Sequence, residues 1–436
     1  MSKSVGPYFC TAPWTHTYVS PQGERRLCCA SREQATFQKQ YIDSGTDTDT
    51  GFAPVSLTDH WNSEYMKDIR KKILAGEKID QCQVCNDQIL NLHTYKQYFT
   101  KTLFPHKITE ILESTDDTGY TSMKPISYDY RISNLCNFKC RMCGEQLSSA
   151  WETEKLAHKT INFSKNKWMH PDTRKQISKF QVEVLEEELQ AAVDNGTIEE
   201  IYWVGGEPLM WELHWTIMDQ LVKSGQSKNV VIRYNTNLSR ITYKNYKLYD
   251  MLPHFKHINI CASIDGVGSV GEYIRTGLDW PVWLDNFKQG MFLIDQFGDN
   301  AAVFDVTLTT PGLFGVKELF DTVTELNVKT YLKTTFAFDP GVVMSPLVFP
   351  RHILEPVVKD ILDYIEPKLT NKTQVYKDTL LNLLERKTFE EAWPDEFMRS
   401  IKSGKQNILF LESIRNQKIT FSEILTGDSK LWWDNL

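Results

Sequence analysis

The sequence predicts an α/β protein: an open, partial (β/α)6 TIM-like barrel, with a cysteine-rich module before it and a mostly helical region after it. Three observations lead there. Strand-like runs alternate with amphipathic helical runs across 125–340, the order that parallel strands with crossover helices require. Eight of the nine cysteines fall in groups between positions 10 and 143. From His352 onward the apolar spacing is helical.

At 436 residues the chain is long enough for two or three domains, or for one large domain with appendages. Hydrophobic residues make up 41% and aromatics 12%, which suits a large core. The net charge of −7 argues against broad attraction to nucleic acid or an anionic membrane. Residues 1–8 hold no apolar run of signal-peptide type, and no stretch approaches the roughly 18 apolar residues of a membrane span. A cytoplasmic protein with no membrane partner is expected. In a reducing compartment, grouped cysteines are metal ligands rather than disulfides.

The cysteine-rich module is placed at 1–95. It contains Phe9-Cys10-Thr11-Ala12-Pro13-Trp14, then Gly23 and the pair Cys28-Cys29. A polar stretch over 43–51 reads as a loop. Trp61, Tyr65, Ile69 and Ile73 recur every four residues on a predicted helix, which Gly76 is placed to end. Cys82-Gln83-Val84-Cys85 follows. Cys10, Cys28, Cys82 and Cys85 form a candidate closed four-thiolate site for a [4Fe–4S] cluster or, as the less favoured occupant, Zn²⁺. Spacing does not decide between Cys28 and Cys29. A linker over 96–124 leads to the barrel.

Barrel strands are expected near 127–133, 201–204, 230–235, 257–263, 303–309 and 331–338, with helices near 176–193, 210–224, 243–251, 282–297 and 316–326. The polar segment 151–172 reads as an insertion beside the site. After the first strand comes Cys136-Asn137-Phe138-Lys139-Cys140-Arg141-Met142-Cys143. Three thiolates in this C-x3-C-x2-C spacing hold three irons of a cubane cluster and leave the fourth open to a small ligand. After the second strand comes Gly205-Gly206-Glu207-Pro208, where two glycines admit a ligand close to the backbone and a carboxylate accepts from an ammonium group. Asn235, Asn237, Ser263 and Asp265 sit at the ends of later strands, where sites in such barrels collect. Asp265 has a second reading, as the shaper of an Asp-Gly turn.

These motifs resemble the radical S-adenosylmethionine (SAM) superfamily, over about residues 8–340. The resemblance implies a [4Fe–4S] cluster on Cys136, Cys140 and Cys143, whose open iron chelates SAM and whose electron cleaves it to a 5′-deoxyadenosyl radical. It implies that Gly205, Gly206, Glu207 and Pro208 bind the SAM amino group and that Ser263 contacts its ribose or carboxylate. Met142 stands where the family commonly has an aromatic residue, and a thioether can still cover the adenine. Arg275 pairs either with the SAM carboxylate or with a nearby acid. The N-terminal segment is similar to the SPASM and twitch auxiliary-cluster modules of that family, although these usually follow the barrel and carry more cysteines. The partners implied are a flavodoxin- or ferredoxin-type electron donor and a precursor peptide or protein substrate.

Strand alternation adds a further expectation. Asp129, Arg131, Arg233 and Asp305 would face the lumen, joined by Lys333, either as a polar substrate pocket or as an internal salt-bridge network. Cys261 shares the Ser263 face and is either a hydrogen-donating thiol or a small core residue. Residues 341–436 carry no recognisable chemistry. The expected function is a radical SAM enzyme that abstracts a substrate hydrogen and modifies a peptide or protein. The alternatives are a dehydrogenase or epimerase of a small polar metabolite, and a non-catalytic iron–sulfur binding protein.

Overall fold

The structure is a computed structural model that describes residues 5–31, 41–43, 50–86, 95–161, 163, 167–334 and 342–436. The chain divides into two compact units. The first comprises Met1–Asn134, Lys155–Arg233 and His254–Lys256; the second comprises Leu135–Glu154, Tyr234–Pro253 and His257–Leu436.

The principal strands are β1 (His16–Val19), β2 (Arg25–Arg26), β3 (Ser127–Tyr130), β4 (Glu200–Trp203), β5 (Val231–Thr236), β6 (His257–Ser263), β7 (Ala302–Leu308) and β8 (Lys329–Thr334). Their order in the sheet is β8-β7-β6-β5-β4-β3-β1-β2. All registered neighbours are parallel except β1 with β2. The six expected strands are β3 to β8; the part of the last one expected over 335–338 lies outside the described residues. Two strands were not expected. The N-terminal segment folds into the sheet, with His16 opposite Ser127 and Val19 opposite Tyr130.

Several helices differ from expectation for local reasons. The helix expected over 176–193 is three pieces: Pro171–Phe180, a wider π turn over Gln181–Leu185, and Glu186–Asp194. Phe180 and Leu185 are both buried five residues apart, and the π turn absorbs the extra residue in that step. The run expected as a helix over 243–251 opens with a hairpin, Thr242–Tyr243 pairing with Tyr246–Lys247. Lys244 takes φ 51° in its two-residue turn, the backbone such a tight hairpin needs. The helix carrying Ile69 and Ile73 runs Glu64–Leu74, and Gly76 follows it at φ 75°. Phe9, Trp14, Met66, Ile69, Ile73 and Ile111 pack into one core of the first unit.

The polar face predicted from alternation exists in the first unit, and its charges are paired. Arg131 Nε and Nη2 donate to the Asp129 carboxylate at 3.0 and 3.1 Å, and its guanidinium lies 5.0 Å from the Tyr18 ring centre. Arg233 lies 4.3 Å from the Tyr98 ring centre and 4.2 Å from that of Tyr202, and Nη1 donates to Glu200 Oε1 at 3.2 Å. Ser127 Oγ donates to Glu200 Oε2 and contacts His16 Nδ1 at 2.7 Å. In the second unit, Asp305 accepts from Lys333 Nζ at 3.1 Å and from Asn235 Nδ2 at 2.9 Å. Of the two readings of this face, an internal salt-bridge network is the one these contacts support.

Two predictions follow from buried charge. Arg233→Met strands the buried Glu200 carboxylate, so chemical denaturation should register a loss of about 3 kcal/mol, most of it recovered in the Arg233→Met/Glu200→Gln double variant. Burial holds His16, His60 and His214 near pKa 3, below the usual imidazole value of 6.5, with arginine charges adding to the effect at His16 and His60. Between those limits the unfolded chain binds more protons, so stability should fall as pH drops below about 6.5. Each histidine contributes up to about 1.4 kcal/mol per pH unit. Denaturation curves at successive pH values should show this slope, and His214→Phe should flatten it.

Candidate iron–sulfur and cofactor sites

The Cys136–Cys143 loop belongs to the second unit and is hydrogen-bonded on every side. Lys139–Cys140 pairs antiparallel with Arg275–Thr276, Arg275 lying opposite Cys140, and the Arg141 amide donates to the Ile274 carbonyl at 2.8 Å. A tight turn carries the Cys143 amide to the Cys140 carbonyl at 3.0 Å. Two serines beside the helix Ser149–Ala157 hold the start of the loop. Ser149 Oγ accepts from the Cys136 amide at 3.1 Å, and Ser148 Oγ donates to the Phe138 carbonyl at 2.6 Å. The Trp151 indole donates to the Cys140 carbonyl at 2.8 Å. Gly277 takes φ 111°, where a Cβ would meet Phe138 at 2.9 Å.

The C-terminal region, which the sequence left without chemistry, completes this cage. Arg415 forms an ion pair with Glu154 at 2.6 Å and donates to the Lys139 carbonyl at 3.1 Å. Gln417 accepts from Arg141, whose guanidinium lies 3.9 Å from the Tyr273 ring centre. Sequence reading missed Glu154, Arg415 and Gln417. Arg415 and Gln417 lie far along the chain from the cysteines, Glu154 lies on the helix just after them, and none of the three carries a motif.

The cysteine thiols have few solvating partners. Burial raises the thiol pKa of Cys140 above the ordinary value, against the lowering charge of Arg275, and raises that of Cys143 to about 12. Two donors reach the sulfurs: Asn237 Nδ2 lies 3.7 Å from Cys136 Sγ, and Arg275 Nη1 lies 3.8 Å from Cys140 Sγ. Buried thiols of this kind suit iron, whose charge takes them as thiolates. Met142 beside them is half-buried. Ser263 is half-buried at the end of β6. Asp265 Oδ1 accepts the Thr307 amide at 2.7 Å, and Oδ2 forms a 2.7 Å ion pair with Arg275 Nε. Arg275 therefore has the acid partner that was one of its two readings, and Asp265 bridges to the next strand rather than serving only its own turn. Cys261 is buried, with Sγ 3.4 Å from Asn259 Oδ1.

The Gly205–Pro208 motif belongs to the first unit. Gly205 takes φ 133°, where a Cβ would lie 3.2 Å from the Arg131 Cβ, and the Gly206 amide donates to the Ser133 carbonyl at 3.1 Å. Glu207 is fully buried; its Oε1 accepts the Leu209 amide at 3.0 Å, capping the short turn Pro208–Met210.

Cys10, Cys28, Cys82 and Cys85, also in the first unit, line one largely apolar cavity with Leu27 and Phe99. Burial pushes the Cys10 thiol up to about 12, with Cys85 adding to the shift; Cys28 is raised by burial, then by Cys29, Cys82 and Cys10. Cys29 does not line the cavity. It is raised to about 11 by burial and then by Asp129, and it lies in the field of Arg131 and Arg233. No histidine, aspartate or glutamate among the described residues lines the cavity. Among the described residues no three His, Cys, Asp or Glu side chains close on a single metal-ion position. Four thiols suit either a [4Fe–4S] cluster or a zinc ion. Among the described residues no helix is long and apolar enough to cross a membrane.

Comparison with known proteins finds two family matches. The radical SAM superfamily model matches residues 130–289, and that of the SPASM iron-sulfur cluster-binding domain matches residues 10–86. No curated protein matches. Among solved structures, Streptococcus suis SuiB bound to S-adenosylmethionine is 15% identical with a TM-score of 0.36, covering 71% of this chain and 61% of that one. SuiB alone is 14% identical with a TM-score of 0.37, over 72% and 61%. SuiB bound to the precursor peptide SuiA is 13% identical with a TM-score of 0.35, over 71% and 61%. The chain thus spans about three fifths of the length of SuiB. With its triple-cysteine loop and its four-thiol cavity, the chain carries a domain of the radical SAM superfamily over residues 130–289 and an N-terminal SPASM domain over residues 10–86.

Proposed function

We propose that this radical SAM enzyme removes a hydrogen atom from a carbon of a peptide or protein substrate. In this reading Cys136, Cys140 and Cys143 hold a [4Fe–4S] cluster, and Cys10, Cys28, Cys82 and Cys85 hold an auxiliary one. When bound, the first cluster and SAM together supply a carbon-centred radical. The chain's own residues fix and shield that chemistry. The loop cage fixes the backbone that carries the three thiols, with Cys140 buried and Cys136 and Cys143 half-buried. Gly205 and Gly206 leave backbone bare for the SAM amino group, with Glu207 as its counter-charge. Asn235 and Ser263 offer polar groups at strand ends for the rest of the cofactor, while Asp265 is taken up by Arg275 and the Thr307 amide. The auxiliary site, lined by four thiols, would hold a cluster suited to accept the electron left on the product, and a low-potential donor of flavodoxin or ferredoxin type would supply the electron for SAM cleavage.

The observation that carries this reading is the pairing of a three-thiol loop with a separate four-thiol cavity in one chain. Radical SAM proteins with such a module often act on peptides, which supports the substrate class. A charged lumen would fit the alternative, a dehydrogenase or epimerase of a small polar metabolite, as well. Asp129, Arg131, Arg233 and Asp305 are each engaged by neighbouring side chains, which takes that support away.

Anaerobic reconstitution, reduction and addition of SAM should release 5′-deoxyadenosine and methionine. A variant with Cys136, Cys140 and Cys143 all changed to alanine should release none while keeping the auxiliary iron. If the triple variant still makes 5′-deoxyadenosine, the cysteine assignment is wrong. Iron and sulfide analysis should separate the adjacent cysteines: Cys28→Ala loses about one cluster per chain, and Cys29→Ala keeps both. The reverse result would move the ligand role to Cys29.

A further inference from the structure

Arg275 is buried against the cysteine loop. Its backbone lies opposite Cys140, its Nη1 is 3.8 Å from Cys140 Sγ, and its Nε is 2.7 Å from Asp265 Oδ2. Asp265 is fully buried and fixed by the Thr307 amide at 2.7 Å. Both the cation and its counter-ion are therefore locked beside one thiolate of the loop. The other charges acting on the pair are Asp305, which favours the arginine cation, and Lys333, which favours the aspartate anion. These two are themselves paired at 3.1 Å. The second sulfur donor, Asn237, is neutral and lies 3.7 Å from Cys136 Sγ.

We propose that Arg275 and Asp265 form a matched pair that sets the reduction potential of the cluster held by Cys136, Cys140 and Cys143. The inference rests on the assignment of that cluster and goes beyond it. Cluster potentials follow local net charge, hydrogen bonds to sulfur and solvent exposure. Reduction adds an electron to the cluster, so a nearby cation favours the reduced state and raises the potential, while a nearby anion lowers it. In a dry site these effects are strong. Arg275 alone would make the cluster a weaker reductant. Asp265 offsets it, so the chain keeps a charge-assisted donor on Cys140 without its full electrostatic effect. Both are positioning residues that act through the thiolate.

The test is redox titration of the full-length reconstituted protein, following the electron paramagnetic resonance signal that changes on adding SAM, which marks the cluster with the open iron. Asp265→Asn keeps an acceptor for the Thr307 amide and removes the anion; its potential should move positive. Arg275→Gln removes the cation; its potential should move negative, and Arg275→Lys should fall between it and the wild type. Iron content per chain confirms loading. Shifts of the same sign, or no shift in loaded Asp265→Asn, would overturn the inference. If Arg275→Gln does not hold a cluster, the direction of the Asp265→Asn shift decides alone. A wild-type protein with no SAM-responsive signal would instead overturn the cluster assignment and this inference with it.

Discussion

A thiolate is a charge, and in this chain Cys28 and Cys140 are buried while the other cysteines of the two groups are half-buried. Cys140 and Cys143 are held away from ionisation by burial, and so are Cys10 and Cys28. Such sulfurs stay charged only when a cation of high charge sits on them, so the local structure has to place them for that cation in advance. This accounts for the density of backbone anchoring around 136–143. Phe138 is buried, and polar contacts hold the rest of the loop. Its position is set by a two-residue strand pair, two serines, an indole and an arginine from near the C-terminus.

The same constraint governs the polar face of the first unit. Arginines cannot be buried beside apolar strands without partners, and each has one. Arg131 takes Asp129, and Arg233 takes Glu200 and two tyrosine rings. Tyr98 comes from the segment that follows the four-thiol module, so a residue outside the predicted barrel completes the desolvated environment of a barrel arginine. Cys29 lies in this electrostatic field, while its neighbour Cys28 lines the cavity. Two adjacent cysteines thus serve two environments.

What could be read from the sequence was local. The C-x3-C-x2-C spacing and the Gly-Gly-Glu-Pro turn carry their chemistry within a few residues, and strands β3 to β8 show it by alternation. Alternation also identified which charged residues share a face, because side chains in a strand repeat every two residues. It could not say that those residues neutralise one another, since that depends on register between strands. Arg415 illustrates the other limit. It contacts Lys139 across 276 positions, and an arginine at the end of a helix has no distinguishing pattern. The different surroundings of Cys28 and Cys29 likewise show only in the backbone, because adjacent residues differ in direction and not in spacing.

β1 is four residues long, and its sequence, His-Thr-Tyr-Val, has no clear period. Yet it lies in parallel along the whole of β3, and the two-residue β2 follows it as the outermost strand. An unpaired strand edge is a template for association with another chain, and a very short outer strand is one way of blunting it. The N-terminal module therefore acts as the sheet's edge guard as well as a cluster carrier. A barrel expressed without it would bare the hydrogen-bonding edge of Ser127–Tyr130, just upstream of the cysteine loop, and would be prone to self-association whether or not its cluster could still form.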